Sequence, residues 1–303
     1  MDGRLLLLAL IAGCGRFGFS DRTSDGNDAP GDGRLDAAPM TDAGICHAGA
    51  WSTPAPIAST VTGSEEADPS ISTDDLELLF SSNRVGGQAR AVWRATRATA
   101  TDAFGAPDLV VAVDSGSDDT DPDLSPDGLT LYFRSNRSNS DDIYVATRPT
   151  PTDPFTFTGA LPFTDLTSTV RSGPSVTGDD LTMFFTRNGI DVAVASRPDV
   201  ASTFTFERQL AEVNVPSSDG NPAITADGLE LFFDSYRNGP AAIFTAVRAS
   251  TTAMFGAPVE LPELVGSGSA VGTPEISSDG RTLYYFDKIN GQLDLYVATR
   301  SCP

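Results

Sequence analysis

Short runs of apolar residues recur along the chain, separated by polar turn residues. The most regular run, Leu131–Phe133, closely follows an Asp-Gly pair at Asp127-Gly128. Such a pair between apolar runs favours a β-hairpin, because the turn requires positive φ. No segment between the runs has the 3.6-residue period of a helix. The pattern therefore predicts an all-β chain of short strands.

The same pattern occurs five times, at a period of about fifty residues. Its clearest copy is DPDLSPDGLTLYF, residues 121–133. In every copy a proline is followed five residues later by an aspartate of the hairpin turn. The prolines are Pro69, Pro122, Pro174, Pro222 and Pro274, and the aspartates are Asp74, Asp127, Asp179, Asp227 and Asp279. A fixed period of this size indicates a repeat architecture.

Each copy contains the segments of one β-propeller blade. The proline segment is the first strand, the apolar run is the second, and a third strand ends in arginine, as at Arg148. In the first four copies a phenylalanine lies seven residues after that arginine, as at Phe155, and is predicted to open a fourth strand. Four short antiparallel strands per repeat are typical of a propeller blade.

The last copy ends at Arg300–Pro303, before a fourth strand could begin. A matching segment precedes the first copy, since Trp51–Pro54 resembles Phe104–Pro107. We therefore expect residues 46–303 to form a five-bladed β-propeller of four-stranded antiparallel blades, in which the N-terminal strand completes the last blade. No sheet edge would then remain free between the termini.

Two cysteines map to the same point of this architecture. Cys302 lies two residues after the strand-ending Arg300, and Cys46 lies five residues before Trp51. Because arginine and phenylalanine are seven residues apart in the other copies, closure would bring the two thiols together. We predict a Cys46–Cys302 disulfide, which would stabilise the ring by about 4–5 kcal/mol in the chain-entropy model.

The segment before the propeller has a different composition. Residues 1–13 have the short apolar core of a secretory signal, and the sequence that ends at Cys14 resembles a bacterial lipobox. That resemblance implies lipidation of Cys14; the alternative is an ordinary signal peptide or a disordered tail. Residues 14–45 are acidic and poor in aromatic residues, which predicts a disordered tether. We expect a protein of the bacterial envelope, lipid-anchored in the periplasm, outer membrane or cell surface.

Composition excludes several kinds of function. The net charge of −21 argues against binding of nucleic acid and against docking of the protein body on anionic lipid. His47 is the only histidine and lies at the tether junction, so a histidine-based triad or a histidine-ligated metal centre within the ring is excluded. The sequence indicates no cofactor. The turn aspartates recur in every copy, which favours a role in the turn over catalysis.

The positions that differ between copies are better candidates for binding. They flank the prolines and occupy the loops between the second and third strands, which should rim one face near the central channel. The candidates are Asp68, Asp121, Asp123, Asn221, Glu275, Arg84, Arg137 and Arg237. Two interpretations are open: a site for a polar ligand or peptide, or ion pairs and hydrogen bonds between blades.

One acidic run could hold Ca²⁺. Asp119, Asp121 and Asp123 alternate along the chain, but the run lacks the glycine and distal glutamate of an EF-hand loop. The alternative is a solvated acidic loop.

Two segments resemble a known family. Ser125–Arg137 followed by Asp142–Arg148 is similar to the TolB-type WD40-like propeller repeat, and the resemblance covers residues 68–303. The resemblance implies an envelope protein that binds proteins or ligands without catalysis. We therefore predict a monomeric, membrane-tethered, non-catalytic module that binds an envelope protein, peptide or glycan. The alternative is a five-bladed propeller that binds carbohydrate or hydrolyses glycosides.

Overall fold

The computed structural model describes residues 44–84, 86, 89–164, 170–266 and 268–302. The signal segment, Cys14 and almost all of the tether lie outside these residues. The described part consists of strands and one 3₁₀ turn at Pro262–Leu264. None of its helical segments is long and apolar enough to cross a membrane.

Twenty-one strands form five sheets. In chain order the strands are β1 (Ala55–Pro56), β2 (Glu66–Ile71), β3 (Glu77–Ser82), β4 (Ala91–Thr96), β5 (Asp108–Leu109), β6 (Asp119–Leu124), β7 (Thr130–Ser135), β8 (Asp142–Thr147), β9 (Thr156–Ala160), β10 (Phe163–Thr164), β11 (Arg171–Val176), β12 (Thr182–Arg187), β13 (Asp191–Ser196), β14 (Phe204–Gln209), β15 (Asp219–Ile224), β16 (Glu230–Ser235), β17 (Ala242–Val247), β18 (Val259–Glu260), β19 (Val271–Ile276), β20 (Thr282–Ile289) and β21 (Gln292–Thr299).

The sheets are the five predicted blades. Blades one to five begin with strands β2, β6, β11, β15 and β19, and these first strands contact one another in a closed ring around the axis. Each blade continues outward through antiparallel second, third and fourth strands. Blade three also carries β10, which runs parallel to its outer strand β14. The chain is therefore a five-bladed β-propeller.

The ring closes as the repeat comparison predicts. Strand β1 pairs antiparallel with β21 and supplies the fourth strand of blade five. Trp51 and Arg300 form a further bridge beside it. Cys46 and Cys302 are disulfide-bonded with their Cα atoms 5.7 Å apart, which confirms the predicted bond.

The fourth strands differ from the prediction in blades one, four and five. Their paired segments span two residues each, and the phenylalanine or tryptophan lies four residues before the strand. In these blades Pro54, Pro107 or Pro258 stands just before the strand. Proline has no N–H to donate to a β-ladder. Blades two and three lack that proline and have outer strands of five and six residues.

The repeated arginine and aromatic residue pack against each other at every blade. The guanidinium carbon of Arg148, for example, lies 4.3 Å from the centroid of the Phe155 ring. Its Nε donates to the carbonyl oxygen of Gly128 in the hairpin turn at 2.7 Å. Arg300 repeats both contacts with Trp51 and Gly280. The residues common to all copies therefore hold each blade together.

Candidate functional site at the propeller axis

The axis is lined by the residues on either side of the five repeated prolines. A cavity of about 30 Å³ lies here, with room for about one or two water molecules; it is lined by the prolines, the residues before them, Asp123 and Glu275. We call the residues before the prolines the pre-proline ring and those after them the post-proline ring. The pre-proline ring is Asp68, Asp121, Gly173, Asn221 and Thr273, and the post-proline ring is Ser70, Asp123, Ser175, Ala223 and Glu275.

A β-bulge in every first strand shapes this site. The register between first and second strands shifts across each proline, as between Thr120 and Asp123 in blade two. Every residue of the pre-proline ring has positive φ, from 45° at Thr273 to 54° at Asp68. Non-glycine residues rarely adopt that conformation. A bulge re-aims side chains, and backbone strain of this kind concentrates at functional sites.

The pre-proline ring is connected across neighbouring blades. The Asp68 N–H donates to Thr273 Oγ1 at 3.1 Å, and its carboxylate accepts from the Ser81 hydroxyl. A guanidinium nitrogen of Arg90 lies 4.0 Å from Asp68 Oδ2. In the next blade, Asp121 Oδ2 accepts the N–H of Gly173 at 3.0 Å. Asp68 and Asp121 therefore stand in adjacent blades, each held by different neighbours.

A fifth axial carboxylate comes from a second strand. Asp234 Oδ2 accepts from Asn221 Nδ2 at 2.8 Å and from the Thr273 N–H at 3.1 Å. Asp234 is buried, and burial raises its pKa to about 6. It fixes the orientation of the Asn221 amide, so that Asn221 is already committed within the ring.

The post-proline ring joins each blade to the next. Four of its side chains accept a backbone N–H from the following blade at 3.1–3.2 Å, in each case from the residue two positions after the proline. These side chains are Ser70, Asp123, Ser175 and Glu275. Ala223 has no acceptor, so this side-chain contact is missing between blades four and five. Asp123 and Glu275 therefore have a structural role as hydrogen-bond acceptors, alongside any chemistry.

Burial changes the protonation of the axial carboxyl groups. It raises the pKa of Glu275 to about 8, against an opposing hydrogen bond from the Ile71 N–H. Burial and the charge of Asp68 raise the pKa of Asp121 to about 7, although Arg134 opposes them. Burial, with Glu275 and Asp180, raises the pKa of Asp123 well above its usual value. The cluster therefore retains protons at neutral pH.

The three candidate arginines lie inside their own blades. Arg84, Arg137 and Arg237 each pair with the carboxylate that begins the first strand, at 3.2, 2.6 and 2.7 Å. Each also stacks on aromatic rings of the second and third strands. A ligand would have to displace these contacts to reach the guanidinium groups. The structure does not bring them together with the axial carboxylates.

The other acidic candidates have structural contacts. Asp119 pairs with Arg137 and accepts from both the N–H and the hydroxyl of Ser115, and so it stands apart from Asp121 and Asp123. Among the described residues, no three histidine, cysteine or acidic side chains are arranged to hold a metal ion. The repeated turn aspartates behave alike: Asp127 accepts from the Ser125 hydroxyl at 2.6 Å and the Leu129 N–H at 2.9 Å.

Sequence comparison missed several residues near the axis. The fifth position of each second strand contacts or faces the first strands, and it differs in every copy. Its occupants are Ser81, Arg134, Thr186, Asp234 and Phe286. Tyr236 was also missed: the residue is 53% exposed, and partial burial, followed by the charge of Asp234, raises its pKa. Variation between copies is the signal that could have identified the second-strand residues, because their position differs in every copy.

The two ends of the axis differ. The hairpin turns contact one another at one end, where Thr73 Oγ1 donates to the Pro126 carbonyl oxygen at 2.8 Å and Ser278 Oγ donates to that of Thr73 at 2.9 Å. Gly178 is packed against Ala226 so closely that a Cβ atom would meet it at 2.9 Å. Tyr236 belongs to a loop between second and third strands, at the opposite end. We call this opposite end, where the loops between second and third strands lie, the mouth of the axis.

Comparison with known proteins identifies the fold and leaves the family open. No family model matches the chain, and no curated protein does. TolB from Acinetobacter baumannii is 18% identical with a TM-score of 0.46; 76% of this chain is covered, and the chain spans about half of TolB (54%). This likeness is too weak to carry a functional argument.

Two glycoside hydrolases match the fold more closely. The catalytic domain of the Coprinopsis cinerea GH62 α-L-arabinofuranosidase has a TM-score of 0.59 at 11% identity, covering 84% of this chain and 99% of its own. The endo-arabinase from Bacteroides thetaiotaomicron has a TM-score of 0.56 at 17% identity, covering 83% and 98%. The prediction of a non-catalytic module is corrected by this finding, because these two solved propellers, which are matched along 99% and 98% of their own length, are glycoside hydrolases.

Proposed function

We propose that this propeller hydrolyses glycosides at the mouth of its axis. The observation that carries the proposal is the axial ring itself, where carboxyl groups from blades one, two and five meet at one small cavity. Glycosidases commonly use two carboxyl groups in opposite protonation states, one as an acid and the other as a base or nucleophile. Such pairs are recognised by environments that push their pKa values apart.

Glu275 is the proposed general acid. Its side chain is partly exposed to the axis, and burial raises its pKa to about 8, so that it holds a proton at neutral pH. A protonated carboxyl group can donate to the oxygen of the leaving sugar. Asp68 is the proposed base, because its carboxylate lines the same cavity, accepts from the Ser81 hydroxyl and lies 4.0 Å from a guanidinium nitrogen of Arg90. Burial, followed by the charge of Asp68, raises the pKa of the neighbouring Asp121 to about 7.

The small cavity decides how a substrate can lie. A volume of about 30 Å³ admits water but not a sugar ring, so that the sugar must rest across the mouth with water beneath it. Tyr236 is the exposed aromatic ring at this end, and an aromatic face suits the apolar face of a sugar. The two similar enzymes act on arabinose-containing substrates by name. We therefore propose arabinofuranosides as the first substrate class.

The experiment is an assay of purified protein on a panel of aryl glycosides and arabinan oligosaccharides. We expect turnover that Glu275→Gln and Asp68→Asn reduce by at least about a hundredfold, the usual contribution of a general acid or base. Asp127→Asn is the matched control, because Asp127 holds a turn in the same ring. Absence of turnover on the whole panel, or full activity in both variants, would overturn the proposal.

The place of action is a second part of the proposal. The motif ending at Cys14 supports export and lipid anchoring, so that the propeller would meet glycans in the cell envelope. Labelling with a radioactive fatty acid should mark the wild-type chain and leave Cys14→Ser unlabelled. Equal labelling of both chains would disprove anchoring at this residue.

A further inference from the structure

The five strand-ending arginines differ in what they meet across the blade boundary. Four reach an acceptor on the second strand of the preceding blade. Arg148 and Arg300 make two hydrogen bonds each to Glu77 and Glu230, at 2.6–3.1 Å. Arg97 and Arg197 donate to tyrosine hydroxyls instead, at 3.4 and 3.1 Å. Either a carboxylate or a hydroxyl therefore satisfies this position.

Arg248 is the exception among the five. The preceding blade offers it Thr182 and Phe184, where its counterparts meet glutamate or tyrosine. Its Nε donates to the Gly228 carbonyl oxygen at 2.7 Å, and its guanidinium carbon lies 5.7 Å from the centroid of the Phe184 ring. Its terminal nitrogens have no acceptor among the described residues.

A cleft opens where the missing acceptor would lie. It has a volume of about 590 Å³ between blades three and four, and shares no lining residue with the axial cavity. Its apolar lining includes Phe184, Val194 and Leu210, and threonine hydroxyls and the Arg248 guanidinium lie around them. A concave cleft of this size, which combines a few apolar side chains with polar and charged groups, has room for a small polar molecule.

Arg248 forms no direct ion pair among the described residues, although the carboxylates of Asp179, Glu207 and Asp227 also line the cleft. Arg208 lines the same cleft and is neutralised by two bonds to Glu212, both 2.9 Å. Burial, followed by the charge of Arg208, lowers the pKa of Arg248, although Glu212, Asp227 and Glu207 oppose them. A guanidinium with its fork open matches a carboxylate with two parallel hydrogen bonds.

We propose that this cleft binds the carboxylate of a uronic acid residue, with Arg248 donating to the carboxylate. The threonine hydroxyls and the carboxylate of Asp179 are placed to bond the hydroxyl groups of the sugar, and its carbon face would pack on the apolar lining. The site is independent of the axial carboxylates and so goes beyond glycoside hydrolysis. It would hold an acidic polysaccharide against the face opposite the mouth.

A second boundary cleft is an internal comparison. It lies between blades one and two, has a volume of about 320 Å³ and is lined by Arg148. There Glu77 already occupies the guanidinium fork. A glutamate introduced in blade three by Thr182→Glu should accept from the terminal nitrogens of Arg248 in the same way, so that they are no longer available to a ligand. Thr130 has the same place in blade two, so Thr130→Glu is the matched control.

The test is calorimetric titration of the full chain with galacturonic acid, galactose and acetate. We expect the wild type to bind galacturonic acid at least about tenfold more tightly than galactose or acetate, the effect of one charge-assisted contact. Arg248→Gln and Thr182→Glu should each weaken that binding about tenfold or more. Thr130→Glu and Glu275→Gln should leave it unchanged, and the second of these separates the cleft from the axis.

Several results would overturn the proposal. Equal affinity for galactose would exclude carboxylate recognition, and equal affinity for acetate would exclude recognition of the sugar. Unchanged binding in Arg248→Gln would exclude this residue. Loss of binding in Thr130→Glu would show a general effect of added charge. All variants are first checked for cooperative unfolding, and Thr182→Glu should be at least as stable as the wild type because it pairs the half-buried Arg248 guanidinium.

Discussion

At the scale of single residues, repetition separates structural acids from candidate chemical ones. The turn aspartates could be assigned from sequence because each accepts from a hydroxyl two residues before it and from an N–H two residues after it. Asp234 and Tyr236 could not, since their importance depends on which strands meet at the axis. The pairing of Arg84 with Glu66 could not be predicted either, because Arg84 lies in the loop after β3 whereas Glu66 is the first residue of β2.

The raised pKa of Glu275 predicts that the free energy of unfolding decreases as pH rises. The unfolded chain releases this proton near pH 4.5, whereas the folded chain holds it to about pH 8. Between these values the folded state binds more protons, so that stability falls as pH rises, by up to about 1.4 kcal/mol per pH unit for one group. Urea unfolding of the wild type from pH 5 to 8 should show this fall.

Glu275→Gln should flatten the same profile. Glutamine keeps an oxygen that can accept the Ile71 N–H, but it has no proton to lose. Burial, followed by the charge of Glu275, also raises the pKa of Asp123, and Asp123→Asn is expected to remove a further part of the slope. A profile in Glu275→Gln as steep as that of the wild type would show that the titrating group is elsewhere.

At the scale of the strand, the bulge is what the sequence concealed. A residue before proline normally adopts extended backbone with negative φ, so the five prolines indicate straight first strands. The structure instead has positive φ at each preceding residue, with the bulge turning two rings of side chains toward the axis. The strands were predictable from local pattern, but their deformation depends on crowding of five blades around one axis.

This deformation predicts opposite effects for two reciprocal substitutions. Thr273 has φ of 45° and Asn221 has φ of 46° at the same position of neighbouring blades. A β-branched residue is strained there, whereas asparagine tolerates the left-handed region. Thr273→Asn should therefore raise the free energy of unfolding by about 1 kcal/mol, and Asn221→Thr should lower it by at least about as much.

The measurement is the urea midpoint at an unchanged slope of unfolding free energy against urea. Asn221→Thr also loses the bond to Asp234, whereas the asparagine of Thr273→Asn keeps a side-chain oxygen that can accept the Asp68 N–H, so the effect of Asn221→Thr should be the larger of the two. Shifts of the same sign in both variants would show that the side-chain contacts, rather than the backbone conformation, decide stability at the bulge.

At the scale of the whole molecule, comparison of the copies predicted closure, because a repeat with a missing strand must find it elsewhere. The clefts between blades could not be predicted in this way. They depend on single differences between blades: blade three has Thr182 where blade four has Glu230. The effect of that difference becomes clear only from the structure, in which Arg248 faces Thr182. Function on a repeat fold therefore lies in departures from the repeat, both at the axis and at the blade boundaries.

Closure gives the last prediction. The disulfide joins residues 256 positions apart, beside the hydrogen bonds from the N–H groups of Ser52 and Ile57 to β21, at 2.7 and 2.8 Å. Reduction should lower the free energy of unfolding by about 5 kcal/mol in the chain-entropy model. It should also speed hydrogen exchange at Ser52 and Ile57 before other blades are affected, because the hydrogen bonds of these two residues close the ring.

The double variant Cys46→Ser, Cys302→Ser should match the reduced wild type and be insensitive to reductant. If reduction leaves the unfolding midpoint of the wild type unchanged, β1 and its partner β21 close the ring without help from the disulfide.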